Sequence, residues 1–241
     1  MPSWTLHQGD SLKVLAEIDS DSVDAVITDP PYNSSAGAKV TDTARSKYVS
    51  SDAKHTLPDF IGDQRDQRSY CAWLTMILLE CQRIARPGAS LLCYSDWRQL
   101  PSTSDALQAA GWSWRGIIPH YKPNHRPKKN GFSAAAEYVL WGSKGEPHKH
   151  NPPLYLKGHL TGSQPSGKKR THITQKPVEV ITELVRICPD GGTVLDPFAG
   201  SGTTGVAALA LRRSFIGIEA TEHYYQAARE RLASTTTAII T

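Results

Sequence analysis

The chain has 241 residues, 39% hydrophobic and 21% charged, a balance that is typical of a globular protein and favours one α/β domain with room for an insertion. Its longest apolar stretch, 70–80, is too short to span a bilayer, and its first ten residues do not resemble a secretory signal. The four cysteines lack the spacing of a zinc site or a disulfide framework, so we expect a reducing cytoplasm and no metal partner. Because the apolar stretch is too short, we expect no membrane partner either. The net charge of +4 is unevenly distributed, because residues 120–172 hold ten lysines and arginines against two acidic residues and carry +8. Such a segment favours a polyanionic partner, although a solvated lysine-rich loop would have the same composition.

Apolar periodicity predicts strands that alternate with helices over most of the chain. In chain order the predicted elements are strand 4–6, helix 11–17, strand 23–28, helix 64–86, strand 89–95, helix 97–110, strands 112–120 and 137–141, helix 178–187, strand 193–195, helix 202–211, strand 214–218 and helix 222–233. Polar composition predicts a long mobile loop at 33–63, an irregular segment at 143–170 and a frayed tail at 234–241. The alternation predicts a mostly parallel central sheet with helices on both faces.

A glycine-rich turn follows the predicted strand at 193–195. Gly200, Gly202 and Gly205 have the G-x-G-x-x-G spacing of a loop that binds a nucleoside-like cofactor at the end of a strand. Glu219 follows nineteen residues after Gly200, where a carboxylate can accept hydrogen bonds from ribose hydroxyls. Asp196, in the same turn, would repel a pyrophosphate but suits the cationic amino-acid end of S-adenosylmethionine. The alternative is a glycine turn that serves only helix–sheet packing.

The residues Asp29-Pro30-Pro31-Tyr32 end the predicted strand 23–28. The nitrogen of an exocyclic base amine is a poor nucleophile, because its lone pair is delocalised into the ring. The Asp29 carboxylate and the Pro30 carbonyl can accept both amine hydrogens and draw the nitrogen toward tetrahedral geometry. The prolines hold these acceptors rigid, and Tyr32 can stack on a base extruded from a duplex. By itself, D-P-P is also an ordinary strand-ending turn.

Taken together, these motifs resemble those of the DNA amino-methyltransferases. D-P-P-Y, followed much later by D-P-F-x-G-x-G at 196–202, is similar to the motif order of their β class. His172-Ile173-Thr174-Gln175-Lys176-Pro177 resembles the family's H-x-T-Q-K-P segment. The resemblance covers nearly the whole chain and implies a Rossmann-like class I S-adenosylmethionine-dependent methyltransferase fold with a permuted motif order, in a single domain over 1–241.

The resemblance also implies roles for individual residues. The implied catalytic turn consists of Asp29, Pro30, Pro31 and Tyr32. The implied cofactor-binding residues are Asp10, Asp29, His172, Thr174, Gln175, Lys176, Asp196, Pro197, Phe198, Gly200, Ser201, Gly202, Thr203 and Glu219. Among these, Asp10 would approach the adenine of the cofactor, and the segment 172–177 would border its methionine part.

Family members with D-P-P-Y mostly methylate adenine N6, and those with S-P-P-Y mostly methylate cytosine N4. The resemblance therefore favours site-specific transfer from S-adenosylmethionine to adenine N6 in duplex DNA, by base flipping and direct in-line attack. Cytosine N4, an RNA or protein amine, and a DNA-binding module without activity are the alternatives. Methylation of cytosine C5 is disfavoured, because it needs a cysteine nucleophile that typically follows proline, and none of the four cysteines does.

The same resemblance implies that DNA is recognised by the region between the two main motifs, through a target-recognition segment at 143–171 and a DNA-facing loop at 33–63. The predicted DNA-binding residues are Lys122, Asn124, Arg126, Lys128, Lys129, Lys168, Lys169 and Arg170. Residues 151–154, N-P-P-L, are predicted to form a loop, because they lack the aromatic residue and follow no apolar strand. A recognition segment this short suggests a homodimer on a palindromic site, with the Trp73 face of helix 64–86 as one contact. Core packing of that face is the favoured interpretation.

Overall fold

The computed structural model describes residues 2–31, 66–163 and 176–240. Within these residues the strands are β1 Trp4–Gln8, β2 Val23–Thr28, β3 Ala85–Ser95, β4 Ser113–Tyr121, β5 Ala136–Ser143, β6 Leu160–Thr161, β7 Thr193–Asp196 and β8 Ser214–Glu219. The helices are α1 Ser11–Leu15, α2 Gln67–Ile84, α3 Leu100–Ala109, α4 Val178–Val185, α5 Thr203–Ala210 and α6 Glu222–Ile240. No helix in these three ranges is long and apolar enough to cross a membrane. The loop predicted at 33–63 lies outside the described residues.

The described strands form one sheet in the order β1-β8-β7-β2-β3-β5-β4-β6. Its neighbours pair in parallel, except that β5 runs antiparallel to both β3 and β4. Since β5 is the one reversed strand in the described sheet, the prediction of a mostly parallel sheet is confirmed.

Helices cover both faces of the sheet, because successive strand residues point to opposite sides. On one face Leu74 of α2 packs in a core with Val26 of β2. On the other face Ile181 of α4 and Leu232 of α6 share a core with Ile27 of β2. This covering of both faces explains why β2 is apolar along most of its length rather than alternating with polar residues.

The carboxyl ends of β1, β8, β7, β2 and β3 meet at one edge of the sheet, because these strands are parallel. Four acidic residues lie at or just beyond those ends: Asp10 after β1, Glu219 in β8, Asp196 in β7 and Asp29 after β2. The reversed strand β5 begins at the same edge, beside the end of β3. Ligands of open α/β sheets bind at this edge, so the fold gathers the predicted site residues where a ligand is expected.

The helix predicted over 64–86 ends two residues early, so its predicted C-terminal bound was wrong. Helix α2 ends at Ile84, and Pro87 and Gly88 lie inside β3. The register of β3 against β2 shifts between the pairs Ala85–Val23 and Ser90–Ala25, and Gly88, at φ +86°, lies within this irregularity. The helix therefore ends where Ala85 begins to pair with β2, rather than at the proline.

Two further predictions were wrong, while a third was confirmed. The segment 143–170 is not entirely irregular, because β6 adds to the sheet beside His120 of β4. The tail 234–241 is not frayed over its whole length, because α6 continues to Ile240 and the Trp4 indole donates a hydrogen bond to Thr236 Oγ1 at 3.0 Å. Residues 151–154 contain neither helix nor strand, as predicted for a loop.

Candidate active site

Asp29 lies directly after β2, at the edge where the parallel strands end. Its carboxylate Oδ2 accepts a hydrogen bond from the Lys176 ammonium at 2.6 Å. The Lys176 side chain is 5% exposed, whereas that of Asp29 is 23% exposed. The carboxylate can therefore meet a substrate while a buried cation holds it from the interior.

Asp29 and Lys176 belong to a row of alternating charges, Asp29, Lys176, Glu137 and Lys122, which we call the charge chain. Lys176 Nζ lies 3.2 Å from Glu137 Oε2, and Lys122 donates a hydrogen bond to Glu137 Oε1 at 3.1 Å. The same Lys176 Nζ lies 4.6 Å from the centroid of the Tyr94 ring, which is a cation–π geometry. Two positive and two negative groups thus compensate one another at the site.

The ion pairs outweigh burial in the protonation of this cluster. Burial alone would raise the pKa of Glu137, but the ammonium groups of Lys176 and Lys122 lower it to about 2. Burial alone would lower the pKa of Lys176, but the carboxylates of Asp29 and Glu137 raise it above its ordinary value. Glu137 and Lys176 are therefore both charged at neutral pH.

His120 connects this cluster with the backbone that follows β6. Its Nε2 lies 3.1 Å from the carbonyl oxygen of Gly162, and its Nδ1 lies 3.5 Å from the Tyr94 hydroxyl. Burial lowers the pKa of His120 in spite of the nearby Glu137 carboxylate. A neutral imidazole therefore supports Tyr94, which in turn lies against the Lys176 ammonium.

The turn after β7 owes its shape to glycine. Gly200 has φ +52° and Gly202 has φ +77°, in the left-handed region that favours glycine. A Cβ at Gly205 would lie 2.5 Å from Leu232 Cδ2 and 2.6 Å from Phe215 Cδ1. Gly205 therefore allows α5 to pack closely on α6 and β8, so the packing role applies to this third glycine.

The Asp196 carboxylate is buried within the turn itself. Its Oδ1 accepts hydrogen bonds from Thr28 Oγ1 and from the Phe198 backbone N–H, both at 3.0 Å, and its Oδ2 accepts one from Thr204 Oγ1 at 2.7 Å. These contacts join the end of β2 to the glycine turn and to α5. A direct contact of Asp196 with the cofactor stays a prediction.

Asp196 makes the stability of the fold depend on pH. Burial raises its pKa from 3.8 to about 6, although three hydrogen bonds act against the shift. The folded state therefore binds more protons than the unfolded state between about pH 4 and 6, and its stability falls as the pH rises through that window, by about 3 kcal/mol. We expect the free energy of unfolding of the wild type, relative to that of Asp196→Asn, to fall by most of that amount from pH 4 to 7 in urea titrations. A difference that stays constant across this range would contradict the assignment.

Glu219 and Asp10 lie side by side at the ends of β8 and β1. The Glu219 carboxylate accepts hydrogen bonds from the backbone N–H groups of Gly200 at 2.9 Å and Thr221 at 2.8 Å, and the Gly9 N–H binds the Glu219 carbonyl at 3.0 Å. Asp10 is exposed and caps α1 through the Lys13 N–H. Burial raises the pKa of Glu219, while the backbone N–H donors lower it. The glycine turn and the two acidic residues thus lie at one edge of the sheet.

Two side chains hold the glycine turn from outside. The Arg231 guanidinium of α6 donates hydrogen bonds to the Ser201 carbonyl and hydroxyl and to the Thr203 hydroxyl. The Ser11 hydroxyl of α1 donates to the Pro197 carbonyl at 2.6 Å. Side chains from two helices therefore fix the backbone of the turn.

Trp73 of α2 packs inside the protein. Its ring centroid lies 5.3 Å from that of Phe198 and 6.0 Å from that of Tyr70. This partly buried side chain joins the core under the first sheet face. The contact agrees with core packing, and the homodimer stays a prediction.

The structure brings together most of the predicted site residues that it describes. Asp29, Lys176, the glycine turn, Asp10 and Glu219 all lie at one sheet edge, and Lys176 contacts Asp29. Of the predicted DNA-binding residues, Lys122 pairs with Glu137, and Asn124 donates its backbone N–H to Ser163 Oγ at 3.3 Å. Arg126, Lys128 and Lys129 are exposed in the segment 121–131, which we call the basic loop. The predicted site residues outside the described part of the chain are Tyr32, Lys168, Lys169, Arg170, His172, Thr174 and Gln175.

Sequence reasoning missed four residues of the site: Glu137, Tyr94, His120 and Arg231. Glu137 carried one available signal, since it is one of two acidic residues in the basic segment 120–172 and opens a predicted strand. Tyr94, His120 and Arg231 stand in ordinary strand or helix patterns that indicate no role. No group of three or more His, Cys, Asp or Glu in the described ranges is arranged to hold a metal ion.

Comparison with known proteins identifies relatives along most of the chain. A family of DNA methylases, the N6/N4 methylases, matches residues 23–230. The protein YubD of Escherichia coli (strain K12), whose name places it among the methylases, is 31% identical over 229 residues, which cover 94% of this chain and 89% of that protein. The type II methyltransferase M.HinfI of Haemophilus influenzae is 29% identical over an alignment of 251 positions, which spans 95% of this chain and 68% of that protein.

A solved structure has the same fold. The crystal structure of M1.HpyAVI in complex with SAM superposes with a TM-score of 0.68 at 25% identity, over 95% of this chain and 98% of that chain. The match of 23–230 takes in β2, the charge chain and the glycine turn together. This chain therefore belongs to the N6/N4 DNA methylase family.

Proposed function

We propose that the protein transfers a methyl group from S-adenosylmethionine to the N6 amine of adenine in duplex DNA. The observation that carries this proposal is the position of Asp29 at the end of β2, directly beside β7 and its glycine turn. Val26 of β2 pairs with Leu195 of β7, so the D-P-P turn and the D-P-F turn follow neighbouring strand ends. A methyl acceptor held by the first turn would meet a donor held by the second.

S-adenosylmethionine is the methyl donor, and the residues at this edge fit it. The Glu219 and Asp10 carboxylates are acceptors that suit the ribose hydroxyls and the adenine amine. The left-handed Gly200 and Gly202 remove side chains from the turn, so a ligand can approach its backbone. The acidic residues at the edge also suit a cationic sulfonium ligand. They would repel the pyrophosphate of a dinucleotide. S-adenosylmethionine supplies a methyl group bonded to sulfur that an amine nitrogen can attack.

The D-P-P turn makes the base amine a better nucleophile in this proposal. The Asp29 carboxylate and the Pro30 carbonyl accept the two amine hydrogens and so oppose the delocalisation of the nitrogen lone pair. Pro30 and Pro31 fix the backbone, which means that the acceptors are oriented before the base arrives. When the nitrogen forms its fourth bond, a carboxylate oxygen of Asp29 is in place to take the proton that it must release. Tyr32 stacks on the extruded base in this proposal.

The basic loop supplies the DNA contacts in this proposal. The side chains of Arg126, Lys128 and Lys129 are exposed in the loop that follows β4. The end of β4 lies at the same edge of the sheet as Asp29. Lysines there suit phosphates, and Arg126 with Asn124 suits base edges. We assign target recognition to 143–171 and a further DNA-facing role to 33–63, because these segments lie between the two motifs.

The identity of the methylated base provides the test. Purified protein, duplex DNA and methyl-labelled S-adenosylmethionine are incubated, and the product is digested to nucleosides and separated. We expect the label in N6-methyldeoxyadenosine, because the turn carries D-P-P-Y. Label in N4-methylcytosine would keep the reaction and correct the base, whereas no transfer to DNA under any condition would overturn the proposal.

A further inference from the structure

Lys122 belongs to two groups at once. It is the second residue of the basic loop, and it is also the outer member of the charge chain, where it pairs with Glu137 at 3.1 Å. Its side chain is 26% exposed and that of Glu137 is 13% exposed. Lys122 is therefore within reach of solvent, while its partner is buried.

A phosphate group can compete with Glu137 for Lys122. A lysine ammonium is a compact point charge on a flexible stem, and it can turn from one anion to another without a change of backbone. Lys128 and Lys129 lie in the same loop and favour the approach of a phosphate backbone. Binding of DNA would then remove one of the two cations that compensate the Glu137 carboxylate.

The loss of Lys122 changes the balance at Lys176. In the structure the Lys176 ammonium lies between two carboxylates, 2.6 Å from Asp29 and 3.2 Å from Glu137. Once Lys122 has left, Glu137 is a buried anion whose remaining partner in the charge chain is Lys176, and their attraction grows in a site of low dielectric. The ammonium is then drawn toward Glu137, and its hold on Asp29 weakens.

We propose that the charge chain couples DNA binding to catalysis: a phosphate that takes Lys122 from Glu137 draws Lys176 away from Asp29 and frees the carboxylate to accept the base amine. Glu137 and Lys122 are positioning residues in this scheme, since they act on Asp29 through Lys176. The inference rests on the proposed function of Asp29.

A gain of activity provides the sharpest test. Lys122→Gln removes the outer cation permanently, so the site should be released without DNA. We expect this variant to methylate free deoxyadenosine, which has no phosphate backbone, about tenfold faster than the wild type, while its KM for duplex DNA rises. Deoxycytidine replaces deoxyadenosine as the probe if cytosine is the methylated base. Damage to the fold cannot produce a faster reaction.

Arg86→Gln is the matched control. Arg86 is also an ion-paired cation, 2.7 Å from Asp24, whose side chain is 18% exposed, but it lies near the start of β3, at the opposite edge of the sheet. We expect this variant to have the wild-type rates on both DNA and free nucleoside.

Glu137→Gln provides a second measurement, on duplex DNA. Without the Glu137 charge, Lys176 stays on Asp29 when DNA binds, so kcat should fall 10- to 100-fold while KM for DNA and the affinity for S-adenosylmethionine stay close to wild type. An unchanged nucleoside rate in Lys122→Gln together with an unchanged kcat in Glu137→Gln would overturn the coupling. Failure of the proposed function is distinct, because then an Asp29→Ala variant would still transfer methyl groups.

Discussion

Replacement of Asp29 by alanine is expected to lower kcat for methyl transfer to duplex DNA by 10²–10³-fold or more. The variant removes the acceptor that binds the amine hydrogens and holds the nitrogen lone pair toward the methyl group. Asp29 is one of the implied cofactor-binding residues, but the others, among them Glu219 and the glycine turn, are untouched, so the affinity for S-adenosylmethionine should stay within a few-fold of wild type. Single-turnover transfer of labelled methyl groups measures the first quantity, and calorimetric titration with S-adenosylmethionine measures the second.

Asp29→Asn is the matched variant for this experiment, since it keeps the size of the side chain and one carbonyl acceptor. We expect an intermediate rate, because an amide accepts a hydrogen bond more weakly than a carboxylate and loses the ion pair with Lys176. If instead transfer fell only in proportion to a loss of cofactor affinity, the role of Asp29 as the amine acceptor would be wrong.

Lys176→Met is expected to lower the free energy of unfolding by about 3–5 kcal/mol. The change leaves the buried Glu137 carboxylate with Lys122 as its remaining partner in the charge chain and removes the cation that lies against Asp29 and the Tyr94 ring. Desolvation of an anion without full compensation is the physical cause. Urea unfolding at neutral pH measures the effect.

Lys144→Met is the control, because its partner Asp21 is 58% exposed and such a pair contributes at most about 1 kcal/mol. The double variant Lys176→Met with Glu137→Gln should regain part of the lost stability, since it no longer buries the uncompensated anion. Equal losses of unfolding free energy in Lys176→Met and Lys144→Met would mean that the buried ion pair contributes no more to stability than the exposed one.

The elements that the sequence predicted well are those with a local signal. The apolar run before Asp29 and the glycine spacing after Asp196 each predict a strand and its end within a few residues. The packing role of Gly205 also follows from the local sequence, because a helix that begins at a glycine turn packs closely on the next strand. Strand β6 could not be predicted, because its two residues are too short for any periodicity.

The charge chain could not be predicted, because it joins residues that only the sheet order brings together. Asp29 and Lys176 are separated by 147 positions, and Glu137 reaches them because the reversed strand β5 begins beside the end of β3. A lysine or glutamate in a basic, polar segment has the same local pattern whether it is solvated or buried. Arg231 is a similar case, since an arginine in an amphipathic helix indicates a surface position until the turn that it binds is located.

A map of modified bases in living cells shows whether the protein methylates adenine N6 and whether Asp29 is needed for it. The protein and its Asp29→Ala variant are expressed in a bacterial host without adenine methylation of its own, and the genomic DNA is sequenced by a single-molecule method that detects modified bases. We expect N6-methyladenine at one defined sequence throughout the genome with the wild type and none with the variant. Methylated cytosine in place of adenine, or the same adenine pattern with both proteins, would contradict it.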